Sequence, residues 1–455
     1  GVREFEALVD DVVLLEKLVE GTIVIPKFSE FKTLIEQTFK NVMSNHSGKV
    51  ATYIPQLAMV NPEKCGVAVC TVDGQRMSLG DTQDRFCVQS CSKPISYAVA
   101  LEEVGVDVVH THIGREPSGL AFNDLSLMTD PKTGRRVPHS PMINSGAIMA
   151  SAFILKGKPL FQRFDHIQSI WSRLCGGTPV GFDNSTYLSE ISTADRNFCL
   201  SYMMREAGVF PEGADLSETL QLYLQQCALT LDVEQLSILA ATLANGGVCP
   251  LTNERVFQTE TVRHCLSLMG SCGMYDYSGE WGFRVGVPSK SGVAGAIFTV
   301  VPNVMGACVW SPRLDVVGNS VRGVQFFEQL DQHFNLHRFS LGTPVAPLIN
   351  SAATDPPSNH TAHLIDAAAA GDTRRLYYLL ARGANPSGAD YDGRTPLHLA
   401  AAEGRTEAVE LLLGMGARAG MVDRWGERPS ESAAAAGFGE IAKMLRGHED
   451  GAASG

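Results

Sequence analysis

A serine and a lysine three positions apart, the residue types that support acyl transfer, occur at Ser90 and Lys93. The preceding residues alternate like a β-hairpin and residues 95–104 have a helical apolar pattern, so Ser90 is predicted where a sheet is followed by a helix. Both side chains would then share one face of the first helical turn. An unpaired ammonium group beside the positive end of a helix dipole is disfavoured, which lowers the pKa of the lysine. Lys93 is therefore a candidate base for the Ser90 hydroxyl.

The Ser-x-x-Lys spacing is not specific by itself. Ser29 and Lys32 have the same spacing, and Ser29 is predicted to be the N-cap of a helix. In serine β-lactamases and penicillin-binding proteins, however, this spacing marks the nucleophile. A catalytic site of that kind also needs an oxyanion hole, a proton donor for the leaving nitrogen and groups that hold the substrate.

Residues far downstream supply candidates for these roles. The tripeptide Lys-Ser-Gly at 290–292 resembles the Lys-Thr-Gly strand of the same enzymes. The N–H near Val293 could then pair with that of Ser90 as an oxyanion hole, although an ordinary strand start also explains the tripeptide. Tyr275 follows a glycine-rich turn and is either a proton shuttle to the leaving amine or a buried tyrosine bonded to the backbone. Three polar residues at predicted loop–helix borders are candidate substrate ligands or simply caps: Asn144, Glu190 and Asn197.

Composition and charge exclude several classes of function. The 455-residue chain is 44% hydrophobic and 19% charged, as expected of a globular protein with two or three domains. Its net charge of −12 argues against nucleic acid or an anionic membrane as a partner, and no apolar stretch reaches the length of a membrane span. The eleven cysteines include no C-x-x-C pair, which indicates reduced thiols in a cytosolic or organellar compartment. No metal site is expected, because His110 and His112 alone form a weak pair.

The order of predicted elements indicates an α+β fold. A hairpin at 66–80 turns at Asp73-Gly74, and strands at 293–301 and 304–310 are followed by a helix at 320–335. One antiparallel sheet built from both chain ends, with a helical insertion between them, suits this order. The other predicted helices are 5–19, 29–43, 145–156, 161–175, 197–208, 216–228, 233–245 and 259–269.

The C-terminal part of the chain carries a repeat with a period of 33 residues. The segment Thr-Pro-Leu-His-Leu-Ala at 395–400 has the ankyrin signature. Three repeats are predicted to start near residues 360, 391 and 424, with degenerate outer copies that act as caps. Residues 338–358 contain four prolines and are predicted to be a linker.

Together these residues resemble the serine-dependent glutaminases, which share the β-lactamase-like fold. The resemblance runs from about residue 25 to about 335. It is carried by the motifs Tyr53-Ile-Pro-Gln-Leu, Cys70-Thr-Val-Asp-Gly-Gln-Arg, Gln89-Ser-Cys-Ser-Lys-Pro, Glu116-Pro-Ser-Gly-Leu, Pro141-Met-Ile-Asn, Asp195-Arg-Asn-Phe, Phe210-Pro-Glu-Gly, Ala241-Thr-Leu-Ala-Asn-Gly-Gly, Ser271-Cys-Gly-Met-Tyr-Asp and Lys290-Ser-Gly-Val-Ala-Gly. Residues 266–269 and 301–306 look like the animal mitochondrial type, and within it the liver type, which also carries C-terminal ankyrin repeats. The resemblance implies hydrolysis of L-glutamine to L-glutamate and ammonia through a glutamyl-serine intermediate.

The resemblance implies a role for each matching residue. Ser90 is the nucleophile and Lys93 its base, while Tyr275, with Tyr53 nearby as a further catalytic residue, relays the proton to the departing ammonia. The N–H groups of Ser90 and Val293 would form the oxyanion hole. The implied substrate contacts are Gln89, Ser90, Asn144, Glu190, Asn197, Tyr223, Tyr275 and Val293. This set suits glutamine, because it offers a carboxylate to the α-ammonium and neutral donors and acceptors to the α-carboxylate and the side-chain amide.

The resemblance also implies expectations about cofactors, assembly and location. No metal or other cofactor is expected, while inorganic phosphate is an activator in the family. Homodimers that pair into tetramers, filaments, and a mitochondrial location are likewise expected. The chain opens at Gly1 without a methionine, so a targeting segment is expected to be missing from it. The loop at 120–141 looks longer and more basic than the family pattern, and Ser126 and Met203 stand where some relatives have aromatic residues, which bears on activator response and filaments.

The predicted domains are a remnant of an N-terminal helical region at 1–25, a catalytic domain at 26–337, the linker, ankyrin repeats at 359–449 and a disordered tail at 450–455. Two alternatives stay open. The same fold could act on a β-lactam or another amide. The chain could also be a scaffold whose ankyrin array binds an unidentified protein.

Overall fold

A computed structural model describes residues 23–119, 123–339, 360–381 and 384–451. These residues form two compact units, one within 23–339 and one within 360–451. The helix predicted at 5–19 and most of the predicted linker lie outside the described residues. Across the described ranges, no helix is both long and apolar enough to cross a membrane.

The strands of the first unit form antiparallel sheets. They are β1 (Gly66–Thr71), β2 (Arg76–Gly80), β3 (Phe86–Cys87), β4 (Met128–Thr129), β5 (Arg136–Val137), β6 (Gly181–Phe182), β7 (Leu229–Leu231), β8 (Ser289–Gly292), β9 (Ala296–Val301) and β10 (Met305–Trp310). The main sheet has the order β2-β1-β10-β9-β8. Because β1 and β2 precede most of the helices of this unit in sequence and β8 to β10 follow most of them, the predicted α+β class and the sheet built from both chain ends are confirmed.

Thirteen helices of the first unit fall within the described residues. They are α1 (Phe28–Met43), α2 (Pro55–Ala58), α3 (Lys93–Val104), α4 (Val106–His110), α5 (Asn144–Ser151), α6 (Leu160–Leu174), α7 (Asn184–Ser192), α8 (Asp195–Glu206), α9 (Leu216–Cys227), α10 (Val233–Ala244), α11 (Thr259–Cys272), α12 (Ser278–Arg284) and α13 (Val321–Phe334). Most of the predicted helices occur within a few residues of their expected bounds.

Helices cover both faces of the main sheet, whose strands β1, β9 and β10 are fully buried. Helix α10 packs across these strands, and a Cβ atom added to Gly306 of β10 would lie 2.1 Å from the backbone nitrogen of Ala241. On the opposite face, Gly323 of α13 lies against Ile297 of β9. Helix α1 packs on α13, with the rings of Phe31 and Phe334 4.9 Å apart. The sheet is therefore the middle of three layers.

The structure corrects several sequence-based predictions. The run at 293–301 is not one strand, because β8 ends at Gly292 and a turn with Gly295 at φ +95° leads into β9. A backbone in this left-handed region favours glycine. Ser29 is not an N-cap, because α1 follows Lys27 and Ser29 lies inside its first turn. Helices α2, α4, α7 and α12 were not predicted, and the loop predicted at 120–141 contains the hairpin of β4 and β5.

The second unit is helical and has its own apolar core. Its helices are α14 (His360–Ala370), α15 (Thr373–Ala381), α16 (Pro396–Ala402), α17 (Thr406–Gly414), α18 (Pro429–Ala435) and α19 (Gly439–Gly451). Thr395 caps α16 and contacts His398 through Oγ1 and Nδ1, 2.9 Å apart, while Nε2 of the same ring bonds the carbonyl of Glu427 at 3.1 Å. The Thr-Pro-Leu-His segment thus starts a helix and links one repeat to the turn of the next.

Candidate active site

A short 3₁₀ turn, Gln89–Ser92, carries the predicted nucleophile between β3 and α3. Ser90 lies in this turn and Lys93 is the first residue of α3, so both precede the body of the helix as predicted. Gln89 has φ +47°, a left-handed conformation that a residue with a side chain rarely adopts. Backbone strain of this kind concentrates at functional sites, where the surrounding structure holds it in place.

Lys93 contacts the predicted nucleophile directly. Its Nζ lies 3.0 Å from Ser90 Oγ and 2.7 Å from Asn144 Oδ1, and the whole side chain is buried. Burial, together with the positive charge of Lys290, lowers the pKa of Lys93 to about 7. A lowered pKa of Lys93 agrees with the prediction from the sequence, but its main cause is burial rather than the helix dipole. An amine with this pKa is largely unprotonated at slightly alkaline pH and can accept the Ser90 proton.

Glu190 supplies a buried carboxylate near Ser90. It lies on α7, which begins where the Asp183 side chain accepts hydrogen bonds from backbone N–H groups. The Tyr53 hydroxyl donates to Glu190 Oε1 at 2.7 Å, and Gln89 Nε2 donates to the same oxygen at 3.0 Å. Burial raises the pKa of Glu190, although these two hydrogen bonds oppose the rise. One face of the site is therefore suited to a cationic group.

A cavity of about 170 Å³ joins Ser90 to this carboxylate. Its lining residues are Tyr53, Gln89, Ser90, Asn123, Asn144, Glu190, Thr193, Arg196, Asn197, Tyr223, Leu224, Cys227 and Val293. The cavity thus brings together Tyr53 and all the predicted substrate contacts except Tyr275. Asn144 Nδ2 donates to Asn197 Oδ1 at 3.0 Å, which joins α5 to α8 at the cavity wall.

Tyr275 lies beside a neighbouring cavity of about 260 Å³. Burial raises the pKa of its phenol, and hydrogen bonding with Ser90 partly opposes the rise, which places the hydroxyl next to the predicted nucleophile. The backbone of Tyr275 has φ +54°, and Ser278 Oγ donates to its carbonyl at 2.7 Å. The predicted proton shuttle is therefore held beside Ser90 by a strained turn.

The end of β8 approaches the 3₁₀ turn closely enough to bring Val293 and Ser90 to one cavity. A Cβ atom added to Gly292 would lie 2.9 Å from the carbonyl oxygen of Val88 and 3.2 Å from Cys91 Sγ. Only glycine leaves room for this approach. The arrangement is compatible with the predicted oxyanion hole formed by the N–H groups of Ser90 and Val293.

Sequence reasoning missed several residues of the cavity wall. Arg196 stands next to Asn197 in the first turn of α8. Among the described residues that line the cavity, it supplies the positively charged side chain. Cys227 lies one helical turn after Tyr223 on α9, so the two share a helix face. Both positions could have been found from their neighbours, because a side chain adjacent to, or one turn from, a substrate contact often faces the same ligand.

The weak histidine pair has a structural explanation. His110 Nδ1 bonds the carbonyl of Ile113 at 2.9 Å and Nε2 bonds the Tyr97 hydroxyl at 2.8 Å, while His112 Nδ1 bonds the carbonyl of Val209. Burial lowers the pKa of His110 to about 4, so its ring is neutral near neutral pH. In the part of the chain that the structure describes, no three His, Cys, Asp or Glu side chains form a metal-binding group.

The basic loop contacts the end of α8. Arg135 Nη2 donates to the carbonyl of Gly208 at 2.6 Å, just beyond the last turn of that helix. Ser126 Oγ lies 3.5 Å from His139 Nε2. Because α8 also carries Asn197, the β4–β5 hairpin rests on an element that lines the cavity.

Comparisons with known proteins agree with this geometry. The family model described as glutaminase matches residues 48–339, and a model for three ankyrin repeats matches residues 364–453. The chain is 42% identical over 392 residues to "Glutaminase liver isoform, mitochondrial" of Mus musculus, covering 86% of the chain and 64% of the relative. It is 43% identical to "Putative glutaminase 3" of Caenorhabditis elegans, covering 85% of the chain and 66% of the relative. The chain therefore spans just under two thirds of the length of these animal relatives.

A bacterial relative and two solved structures cover the first unit. "Glutaminase" of Trichormus variabilis is 43% identical over 311 residues, 68% of the chain and 91% of the relative. A structure described as probable glutaminase ybaS superposes with a TM-score of 0.64 at 36% identity, covering 68% of the chain and 98% of that structure. The native form of Mglu superposes with a TM-score of 0.63 at 37% identity, covering 68% and 72%. The chain belongs to the glutaminase family and carries ankyrin repeats after its glutaminase domain.

Proposed function

We propose that this protein hydrolyses L-glutamine to L-glutamate and ammonia through a covalent ester on Ser90. The observation that carries the proposal is the hydrogen bond between Lys93 Nζ and Ser90 Oγ at one end of a cavity whose other wall holds the Glu190 carboxylate. Membership of the glutaminase family supports the same substrate. A serine nucleophile able to attack an amide and a site for an α-ammonium group in one small cavity suit a free amino acid with a side-chain amide.

The proposed chemistry uses residues already in contact. Neutral Lys93 takes the Ser90 proton while Oγ attacks the carbon of the side-chain amide. The N–H groups of Ser90 and Val293 stabilise the negative charge on the carbonyl oxygen of the tetrahedral intermediate. Tyr275 passes a proton to the nitrogen and regains one from protonated Lys93, the C–N bond breaks and ammonia leaves, so that Lys93 is neutral again. Water then attacks the ester, Lys93 accepts its proton, and glutamate is released with the proton returned to Ser90.

The proposed recognition follows from charge. Glu190 takes the α-ammonium, and Tyr53 and Gln89 hold its carboxylate in place through their hydrogen bonds. Asn144, Asn197 and Tyr223 offer neutral donors and acceptors. We assign the α-carboxylate to the mouth of the cavity, where Arg196 stands next to Asn197.

Two substitutions test the proposal. Ser90→Ala should lower kcat for ammonia release by ~10³-fold or more, because the nucleophile is removed. Ser29→Ala is the matched control, since Ser29 has the same spacing to a lysine but is exposed. Unchanged turnover in Ser90→Ala would disprove the assignment of the nucleophile.

Glu190→Gln tests the substrate class. It should lower kcat/KM for L-glutamine by ~10²-fold, because a buried charged hydrogen bond is lost. Glutaramate, which has the same amide but no α-ammonium, should lose much less. Equal losses for the two amides would favour the alternative of a serine amidase or β-lactam-type enzyme with another substrate.

Further properties are proposed from the comparisons and from the family resemblance. A mitochondrial location is supported by the names of the mouse and rat relatives. A protein partner of the second unit is supported by the ankyrin repeats. Assembly into dimers and tetramers, activation by inorganic phosphate, and activity without a cofactor stay predictions of the family resemblance.

A further inference from the structure

Lys290 is a second fully buried lysine at the site, and the mechanism above does not use it. It lies in β8, and its Nζ donates to the carbonyls of Gly273 at 3.2 Å and Ser291 at 2.8 Å. The same ammonium lies 4.6 Å from the centre of the Tyr275 ring. Hydrogen bonds of a charged donor to carbonyls and a cation over an aromatic face are both stabilising.

These contacts fasten the strained turn that carries Tyr275. Ser291 N donates to the Gly273 carbonyl at 3.1 Å, so this oxygen receives two donors from β8. A Cβ atom added to Gly273 would lie 1.8 Å from the Ser289 carbonyl oxygen, so the turn and the strand touch backbone to backbone. A left-handed tyrosine persists only where its surroundings hold it, and Lys290 contributes to holding both its backbone and its ring.

Lys290 does not belong to the substrate cavity. It lines neither the cavity at Ser90 nor the neighbouring cavity beside Tyr275. The groups that influence its charge from the packed elements are the thiols of Cys91 and Cys272, with no carboxylate among them. The Lys-Ser-Gly strand therefore presents its lysine to the interior rather than to a ligand.

The charge of Lys290 also reaches the predicted base. Lys93 faces Ser90 and Asn144 through hydrogen bonds, and it faces Cys227, Cys91 and the ammonium of Lys290 through space. Two buried amines oppose each other's protonation, and the Glu190 carboxylate stands on the other wall of the Ser90 cavity.

We propose that Lys290 is a positioning residue of the acyl-transfer site, which fastens the Tyr275 turn to β8 and places a second buried positive charge behind Lys93. The consequence for Lys93 is that the amine is deprotonated at a lower pH than burial alone would allow. The inference rests on the proposed function only for the identity of the substrate, since it concerns how Ser90 is activated.

The test compares Lys290→Gln, which removes the charge but keeps a donor, with Lys290→Met, which removes both. The rate of Ser90 labelling by a fluorophosphonate and kcat/KM for L-glutamine are each measured against pH. Loss of the charge should shift the acidic limb of both profiles to higher pH by at least half a unit in both variants. Lys290→Met should also have a plateau at least tenfold below that of Lys290→Gln, because the turn loses its donor.

The matched control is Arg163→Gln. Arg163 is another buried cation that donates to backbone carbonyls, those of Ile154 and Ser151, but it lies on α6 away from Tyr275. Its substitution should lower stability and leave the acidic limb in place. An unmoved limb in both Lys290 variants would overturn the inference, as would failure of both to fold, since Lys290 would then be structural.

The two readouts separate this inference from the proposed function. Shifted fluorophosphonate profiles in a protein that releases no ammonia from glutamine would support the role of Lys290 and reject the substrate. Hydrolysis of glutamine with unshifted profiles would support the proposed substrate and reject the role of Lys290.

Discussion

The burial of Lys93 suits it to act as a base but lowers the stability of the folded protein. Its burial and the nearby charge of Lys290 lower its pKa to about 7, which suits a base. In the unfolded chain a lysine has a pKa of about 10.4, so between these values the unfolded state holds a proton that the folded state does not. The free energy of unfolding therefore falls as pH is lowered towards 7. The proposed chemistry at Ser90 therefore lowers the stability of the folded state.

Lys93→Met should remove this pH dependence while it abolishes turnover. Between about pH 8 and about pH 9.5, the free energy of unfolding of wild type should rise by about 2 kcal/mol relative to that of the variant, since a difference of one bound proton is worth about 1.4 kcal/mol per pH unit. Urea unfolding of the first unit at both pH values measures this difference. Lys32→Met, at an exposed lysine of the other Ser-x-x-Lys pair, is the control and should follow wild type. Parallel curves for Lys93→Met and wild type would show that folded Lys93 keeps its proton.

Single residues were predictable where spacing carried information. Ser90 and Lys93 followed from their positions at the start of a helix, and the structure separates them from Ser29 by burial and by the hydrogen bond between Lys93 Nζ and Ser90 Oγ. Glu190 had no pattern to reveal its role, because it lies on a short polar helix that was not predicted. Its position came from the family resemblance. Arg196 was missed because an exposed arginine in a first helical turn has no distinguishing pattern.

The close contact between β10 and α10 depends on Gly306. Gly306→Ala should destabilise the first unit by about 1–3 kcal/mol, because the new Cβ meets the backbone of Ala241 rather than a flexible side chain. Thermal unfolding measures the loss. Gly282→Ala is the matched control, because it makes the same change in α12, where nothing lies within 4 Å of the new atom. Equal effects of the two substitutions would contradict this role of close packing.

Elements were predictable where the pattern was local. Asp73-Gly74 between alternating strands predicted the β1–β2 hairpin, and long apolar helices such as α10 were found. The turn between β8 and β9 was missed because a strand buried on both faces has no alternation to mark its start. Helix α7 was missed because its polar sequence gives a weak period, and its start depends on the Asp183 cap.

The molecule as a whole consists of two units with separate apolar cores. The linker composition and the 33-residue period predicted this division, because a change in repeat pattern is visible without any structure. All the described residues of the cavity at Ser90 come from the first unit. The sequence could not predict what the second unit binds, since its repeats fix a scaffold rather than a ligand.

Two separate cores predict two unfolding transitions in calorimetry. The second unit should melt first, because a three-repeat array buries less apolar surface than the first unit. Leu412→Ala, at a fully buried position of the second core, should lower only that transition, at a cost of about 2–5 kcal/mol.

Deletion of residues 340–455 should remove the same transition and leave kcat/KM for L-glutamine within about twofold of the full chain. A single transition that Leu412→Ala shifts as a whole, or a large loss of kcat/KM on deletion, would show that the two units depend on each other.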